Sequence, residues 1–216
     1  VNRRRALEAF EGMMLGDAGL RMPRGGDNAF FDIAKSGRKL KIPTPKLLKY
    51  LRHVGRVLAQ LGIESCDGHP KVFTRTDARG SSYDYCDLST RTCSFLTGQY
   101  HRWYPCGVKE VPSSFALTPV SLAYWFMDDG SSSRDGVTVR AKLAANCFSL
   151  DSVQLLEAEL GKLGLLTRRE KYMNKGSGAG IRIVVRALST DRLMEMVGPH
   201  IVIPYMYKIK YRSRSE

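Results

Sequence analysis

Two aspartates, Asp17 and Asp129, sit at equivalent places in two copies of one pattern. The second copy is Leu117 to Ser132, LTPVSLAYWFMDDGSS: a short apolar run with two aromatics that ends in Asp128, Asp129, Gly130 and three serines. The first is Phe10 to Gly19, FEGMMLGDAG, where Asp17 follows Gly16. The copies lie about half the chain apart, which is the mark of a long-period internal repeat. Hard carboxylate oxygens suit Mg²⁺ or Ca²⁺. Two such acids at one centre repel each other strongly until divalent cations neutralise them. Metals held in this way stabilise the attacking and leaving oxygens of an in-line displacement at phosphorus and lower the pKa of a bound water.

Each acid must be carried by a helix. Thr118 is a good N-cap and Pro119 stands at the first helical position, where its missing N–H costs nothing. Gly130 is the stop. The helix end that receives Asp128 and Asp129 already carries roughly half a negative charge. The sequence therefore works against local electrostatics there, and a cation is called for. The first helix is predicted over residues 5–16, with Leu7, Phe10, Met13 and Met14 at helical spacing. Gly12 and Gly16 are four apart and share one face. With Ala123 on the second helix they form a seam of small residues where two backbones can approach closely. Along that seam Asp17 and Asp129 emerge side by side.

The chain has 216 residues, enough for one sizeable core or two small fused ones. Its net charge is +13. Residues 1–116 hold 19 basic and 11 acidic side chains, and residues 117–216 hold 15 and 10, so the halves carry +8 and +5. No single tail explains the charge, and a surface basic along its whole length points to a polyanion, most often nucleic acid. The five cysteines, Cys66, Cys86, Cys93, Cys106 and Cys147, include no CxxC pair. The nearest approach to zinc-ligand spacing, Cys66-Asp-Gly-His69, is unpaired, so free thiols in a reducing compartment are expected rather than a zinc site. No apolar run approaches the roughly 18 residues of a membrane span, and Glu8 and Glu11 interrupt any secretory signal after Arg3-Arg4-Arg5. The chain opens on valine, which leaves room for a trimmed leader.

The patterns between the motifs repeat as well. A strand is predicted over 28–35, a helix over 46–61, strands over 72–76 and 83–88, and a helix over 91–104. Residues 105–114 make a polar connection. After the second motif helix come a strand over 137–143, a helix to Leu163 capped by Asp151, and a strand over 165–172. A glycine-rich loop over 174–180, a strand over 181–187 and a helix from Thr190 or Asp191 to Val197 complete the half. Residues 199–216 read as a basic tail. In the clearest strand Val137, Val139, Ala141 and Leu143 share one face, and Thr138, Arg140 and Lys142 the other. A sheet with one packed and one cationic face suits nucleic acid, and a twisted β-ribbon fits the major groove. The candidate DNA contacts are Arg75 and Arg79 in the first half. In the second they are Thr138, Arg140, Lys142, Arg169, Lys171, Lys175, Arg182 and Arg186. The predicted class is α+β: two pseudo-symmetric half-domains, each αββαββα-like with an antiparallel saddle-shaped sheet, joined along the two motif helices. The halves are set at 1–112 and 119–216, with a linker over 113–118.

The two stretches Phe10 to Ala18 and Leu122 to Gly130 resemble the paired motifs of the single-chain, two-repeat LAGLIDADG homing endonucleases. LTPVSLAYWFMDDG is close to the second motif of that branch, GMMLGDAGLR is similar to the first, and the closing IPYMYKIKY fits it too. The resemblance spans the chain and implies a set of roles. Asp17 and Asp129 would bind the catalytic metals: Mg²⁺, with Mn²⁺ able to substitute and Ca²⁺ binding without supporting cleavage. Lys109 and Lys208 would be a central lysine from each half, polarising the metal-bound water network or stabilising phosphate charge. A monomer would cut both strands of a long, asymmetric double-stranded DNA site across the minor groove and leave 3′ overhangs. The alternatives on the same fold are an RNA maturase that assists its host intron RNA and a catalytically silent DNA-binding protein. An intracellular place is implied, in an organelle if organelle-encoded and otherwise in a prokaryotic cytoplasm. The chain departs from the consensus at Ala18, which replaces a glycine, at Tyr124, also at a glycine position, and at Asp128, at an alanine position.

Overall fold

The computed structural model describes residues 2–36, 44–76, 80–174 and 178–211. The chain divides into two compact units, Val1–Arg102 and Trp103–Glu216. The division falls earlier than the expected boundary at 112, because the connection after the first unit folds with the second. There Glu110 N–H donates to Trp103 O at 2.8 Å, Val111 N–H donates to Ser152 Oγ at 2.9 Å, and Trp103 meets Phe115 edge-on with ring centroids 6.1 Å apart.

In the first unit the order is α1 (Arg3–Leu15), β1 (Ala18–Arg21), β2 (Phe30–Ser36), α2 (Thr44–Ala59), β3 (Lys71–Thr76), β4 (Ser82–Ser89) and α3 (Ser94–Trp103). The strands form an antiparallel sheet in the order β1-β2-β4-β3. Asn2 caps α1 by accepting the Arg4 N–H at 3.0 Å, and Phe10 on that helix packs against Phe31 and Phe95. Helix α2 buries Leu47, Tyr50, Leu51, Val54, Val57 and Leu58, so its predicted apolar stripe is the core. In β2, Phe31, Ile33 and Lys35 are buried while the residues between them are half-exposed.

The second unit repeats the plan: α4 (Pro119–Asp129), β5 (Gly130–Asp135), β6 (Thr138–Ala144), α5 (Leu150–Lys162), β7 (Thr167–Asn174), β8 (Gly178–Val185) and α6 (Ala187–Val197). Its sheet order is β5-β6-β8-β7, again antiparallel throughout. Each unit is therefore the αββαββα arrangement that the sequence predicted. Thr118 and Ser121 form a reciprocal capping box at the start of α4, and every residue from Val120 to Asp128 is buried. Two 3₁₀ turns, Gly198–His200 and Ile203–Lys208, follow α6. Among the described residues no helix is long and apolar enough to cross a membrane.

Four local readings need correction. Strands β1 and β5, which follow each motif helix at once, were not anticipated; Gly130-Ser-Ser-Ser-Arg has no apolar alternation, and β5 exists because its backbone pairs with β6. Helix α5 is capped by Ser149, whose hydroxyl accepts from the Ser152 N–H, so Asp151 lies inside the first turn. Helix α6 begins at Ala187 after Arg186, ahead of Thr190; the Thr190 hydroxyl instead donates to Val139 O, pinning the helix to β6. Of the expected loop over 174–180, Asn174 ends β7 and residues 178–180 open β8, while 175–177 lie outside the described residues.

Candidate functional site

Each motif helix delivers its acid at a helix-to-strand junction. In the first unit α1 ends at Leu15, and the N–H of the capping residue Gly16 reaches Met13 O at 3.0 Å. Asp17 follows and β1 begins at Ala18. The Asp17 side chain is 38% exposed, and its Oδ2 accepts from Lys35 Nζ at 2.6 Å. That lysine is 1% exposed, and its ammonium lies 5.2 Å from the centroid of the Tyr50 ring. A buried ammonium is tolerated only when paired; here the motif acid is its counter-charge. Lys35 was missed in the sequence. Its signal was visible in phase: Phe31, Ile33 and Lys35 alternate along β2, placing a lysine where the pattern demands a core residue.

In the second unit Asp129 is the last helical residue and Gly130 the first of β5. Asp128 is buried and Asp129 half-buried. Gly130 has an ordinary negative φ, yet no other residue fits. A Cβ there would run into the Phe126 ring edge, carbonyl oxygen and Cα. The cation that this helix end called for is Lys208. Its Nζ donates to Met127 O at 2.6 Å, Gly130 O at 2.7 Å and Phe126 O at 3.0 Å. An ammonium has three N–H donors, and three carbonyls around the helix-to-strand junction accept from this one. Lys208 thereby holds the segment that carries Asp129. A lysine at a helix C-terminus also offsets its partial negative charge.

Lys109 stands in the connection after α3. It belongs to the second unit, and its ammonium lies over the Phe148 ring at 5.8 Å. The lysine beside Asp17 is Lys35. The small residues Gly12, Gly16 and Ala123 are all buried.

The sheet face turned away from the helices is mixed in the first unit, where Phe73 and Tyr85 share it with Arg75, and polar in the second. In the second, Thr138, Arg140 and Lys142 take that face of β6, opposite buried Val139, Ala141 and Leu143. The ladder pairs Ala144 with Arg182, which puts Arg182 on the same side. Arg182 bonds Glu170 at 2.5 Å and stacks over the Tyr172 ring at 4.8 Å. The hydrogen bond from Arg182 holds the Glu170 carboxyl below the usual glutamate range. Arg169 and Lys171 face the other way, since they stand opposite the inward Ile183 and Ile181. Arg169 is ion-paired to Glu157 of α5 at 2.9 Å. The residue on the cationic face is Arg168, opposite Val184. The sequence reading was one residue out of phase on β7, whose alternation is obscured by consecutive charges. Arg186 is exposed just beyond β8. In the first unit Arg75 lies over the Tyr85 ring at 4.2 Å on exposed β3. Arg79 and Lys175 lie outside the described residues.

The donor chemistry fits a divalent cation of the magnesium type. Among the described residues no group of three or more His, Cys, Asp or Glu side chains could cage a metal. Mg²⁺ does not need such a cage; it keeps several waters and is held by one or two carboxylates together with substrate phosphates. Asp17 and Asp129 are reachable carboxylates of that kind.

Paired helix–acid–strand units, each on a four-stranded antiparallel sheet, define the two-repeat homing endonuclease fold. The chain belongs to the LAGLIDADG DNA endonuclease family, whose model matches residues 7–192. It is 30% identical over 207 residues to the cytochrome b mRNA maturase bI2 of Debaryomyces hansenii, covering 94% of this chain and 72% of that protein. The bI2 maturase of Saccharomyces cerevisiae is 28% identical over 215 residues, and there the match spans 94% of this chain but only 47% of the relative. The homing endonuclease I-WcaI bound to its DNA recognition sequence superposes with a TM-score of 0.77 at 18% identity, over 97% of this chain and 88% of that one. I-DmoI, solved with DNA and Ca and with DNA and Mn, gives TM-scores of 0.53 and 0.52 at 10% and 9% identity. The Ca complex match covers 91% of each chain, and the Mn complex match covers 91% of this chain and 97% of that one.

Proposed function

We propose that this chain is a site-specific, divalent-metal-dependent homing endonuclease acting as a monomer on a long, asymmetric double-stranded DNA target. It hydrolyses one phosphodiester in each strand across the minor groove and leaves 3′ overhangs. The observation that carries this reading is the retention of a reachable carboxylate, Asp17 or Asp129, at the end of both motif helices in a chain of an endonuclease family. A non-cleaving binder has no need for an acid at both places.

In this reading Asp17 and Asp129 hold the divalent ions, Mg²⁺ by preference with Mn²⁺ as substitute, while Ca²⁺ supports binding alone. The ions supply charge stabilisation at the phosphate and an activated water. Lys35 fixes the orientation of the Asp17 carboxylate, and Lys208 fixes the helix end from which Asp129 projects. Thr138, Arg140, Lys142, Arg168 and Arg182 contact the DNA, with Arg75, Arg79, Lys175 and Arg186 as further contacts. Phosphate contacts set position, and base-edge contacts read sequence.

The test is cleavage of a randomised duplex library, or of the insertion junction of the host gene, in Mg²⁺, Mn²⁺ and Ca²⁺. Discrete double-strand cuts with 3′ overhangs are expected in the first two. They should vanish in Asp17→Asn and Asp129→Asn while binding persists. Salt-sensitive binding without cleavage in any metal would sink the nuclease reading. A second reading, an RNA maturase, is favoured by one observation: both bI2 relatives are named mRNA maturases. Splicing of the host intron RNA with and without the protein tests it separately.

A further inference from the structure

Strand β3 is the free edge of the first unit's sheet, and each of its six residues is exposed. Phe73 and Arg75 stand on the outer face with Tyr85 of the neighbouring strand; Phe73 pairs with Tyr85 in the ladder and is 45% exposed. A phenyl ring there serves no core, and on an edge strand it invites pairing with other chains. The repeat shows that the position does not demand such exposure. Following the ladders from the first strand residue after each acid gives Ala18–Ile33–Leu88 in one unit and Gly130–Leu143–Ile183 in the other. Three residues back along β4 and β8 stand Tyr85 and Gly180, and their partners are Phe73 and Tyr172. Tyr172 is used within its own unit: the Arg182 guanidinium lies over its ring at 4.8 Å, and its hydroxyl donates to Asn146 Oδ1 at 3.4 Å. In the first unit the Arg75 guanidinium lies over Tyr85 at 4.2 Å, one strand across, and Phe73 stays open.

Resting on the reading of this chain as a DNA endonuclease, we propose that Phe73 reads the C5-methyl group of a thymine in the target's major groove, and that Arg75 reads a guanine about two base pairs away. The base edges of the major groove offer one apolar group, the thymine methyl, and a phenyl ring on a face turned to DNA finds its partner there. The charge of this face points the same way. Two of its cations are answered by acids, Arg21 by Asp32 and Lys71 by Asp67, each at 2.9 Å. Asp87 stands on the face as well, opposite Lys71 in the ladder. A face balanced in this way gains little from phosphates, so its binding energy has to come from base edges. Arg75 is poised for such an edge. Stacked on the Tyr85 ring, its planar fork is held in one orientation, which suits the O6 and N7 acceptors of guanine. The spacing follows from geometry. Phe73 and Arg75 are two residues apart on one face, about 6.8 Å along a strand, and base pairs rise by about 3.4 Å each. With β3 lying along the groove, the two side chains therefore meet bases two steps apart. The second unit lacks this reader, because Tyr172 is taken up by Arg182 and Asn146.

The experiment starts with the full chain selecting duplexes from a randomised library without divalent metal, so that they are bound and not cut. The selected duplex is made again as a labelled probe, and each thymine is replaced singly by deoxyuridine, which deletes only the methyl group. Affinities are read by fluorescence anisotropy. One replacement should weaken wild-type binding about fourfold, the value of one buried methyl group. Phe73→Ala should bind the thymine and deoxyuridine probes equally at that position and keep its other preferences. Phe73→Leu keeps an apolar side chain on the strand and should retain part of the discrimination; it covers the case where alanine disturbs β3, and circular dichroism checks the fold of both. Replacing guanines singly by 7-deazaguanine should cost the wild type about tenfold at one position about two base pairs from that thymine, and Arg75→Gln should abolish this cost. The two readings fail separately. A library from which no duplex sequence is selected would sink the endonuclease reading and this inference with it. A selected duplex in which no deoxyuridine replacement matters, a methyl effect that persists unchanged in both Phe73 variants, or a guanine coupled to Arg75 in a distant part of the site would each overturn this inference alone.

Discussion

The two motif ends are built alike and neutralised differently. In the first unit a buried lysine, Lys35, binds the acid itself, with Nζ 2.6 Å from Asp17 Oδ2. In the second a buried lysine, Lys208, donates to three carbonyls around the helix end. One cation aims a carboxylate, and the other closes a helix. The contrast teaches that a repeated motif conserves the position of the acid while each copy solves its electrostatics with whatever element passes nearby: β2 in one unit, the final 3₁₀ turn in the other. It also means that the two halves should fail in different ways.

The largest effect tests what they share. Asp17→Asn and Asp129→Asn should each lower double-strand cleavage by at least about 10²–10³-fold, the scale of losing one charge-stabilising group, with duplex binding kept. A variant of either that cuts normally would remove that acid from the centre. The lysines come next, and here the halves separate. Lys208→Met removes three hydrogen bonds to carbonyls around the helix end and should cost about 3 kcal/mol of stability, read as a lower denaturant midpoint. Lys35→Met conserves volume and leaves a partly exposed carboxylate that water can solvate. Its effect should appear in the cleavage rate, about tenfold to a hundredfold, with a smaller loss of stability. The reverse pattern would break the comparison.

A smaller effect concerns how α4 is anchored. Burial alone would raise the Glu159 carboxyl, but hydrogen bonds from Lys162 and from the Leu117 N–H overcome it and hold it below the usual glutamate range. A carboxyl depressed in the folded state contributes stability above its unfolded pKa and loses it as pH falls through the folded value. Glu159→Gln should therefore destabilise the protein by about 1–2 kcal/mol at neutral pH and flatten the acid limb below about pH 4.3. Equal acid limbs in wild type and variant would discard this anchor. The smallest effect checks strand register: Arg168→Gln should reduce the salt slope of duplex binding by about 1, while Arg169→Gln, whose partner is Glu157, should not.

Much of this was legible in the residues. The repeated acid, the capping sequence Thr118-Pro119 and the alternation of Val139, Ala141 and Leu143 set the helices, the clearest strand and the αββαββα order. What stayed hidden depends on partners. Strand β5 is a run of serines that becomes a strand through the backbone of β6. Arg168 and Arg169 are adjacent cations, and only the ladder with β8 says which one faces outward. Lys208 lies 79 positions after Asp129 in sequence number, and no local rule connects a basic tail to a helix end. Lys35 could have been found, because a lysine in phase with Phe31 and Ile33 must be buried and must have a counter-charge.

No connecting residue separates the end of α4 from the start of β5: Asp129 closes the helix and Gly130 opens the strand. Gly130 is wedged against Phe126, with its carbonyl clamped by Lys208. Helix end, acid and strand thus move as one stiff crank. A twist imposed along β5 by a bound partner would be transmitted to the Asp129 carboxylate with little slack, so that the bending of the target and the aim of the acid become a single mechanical variable.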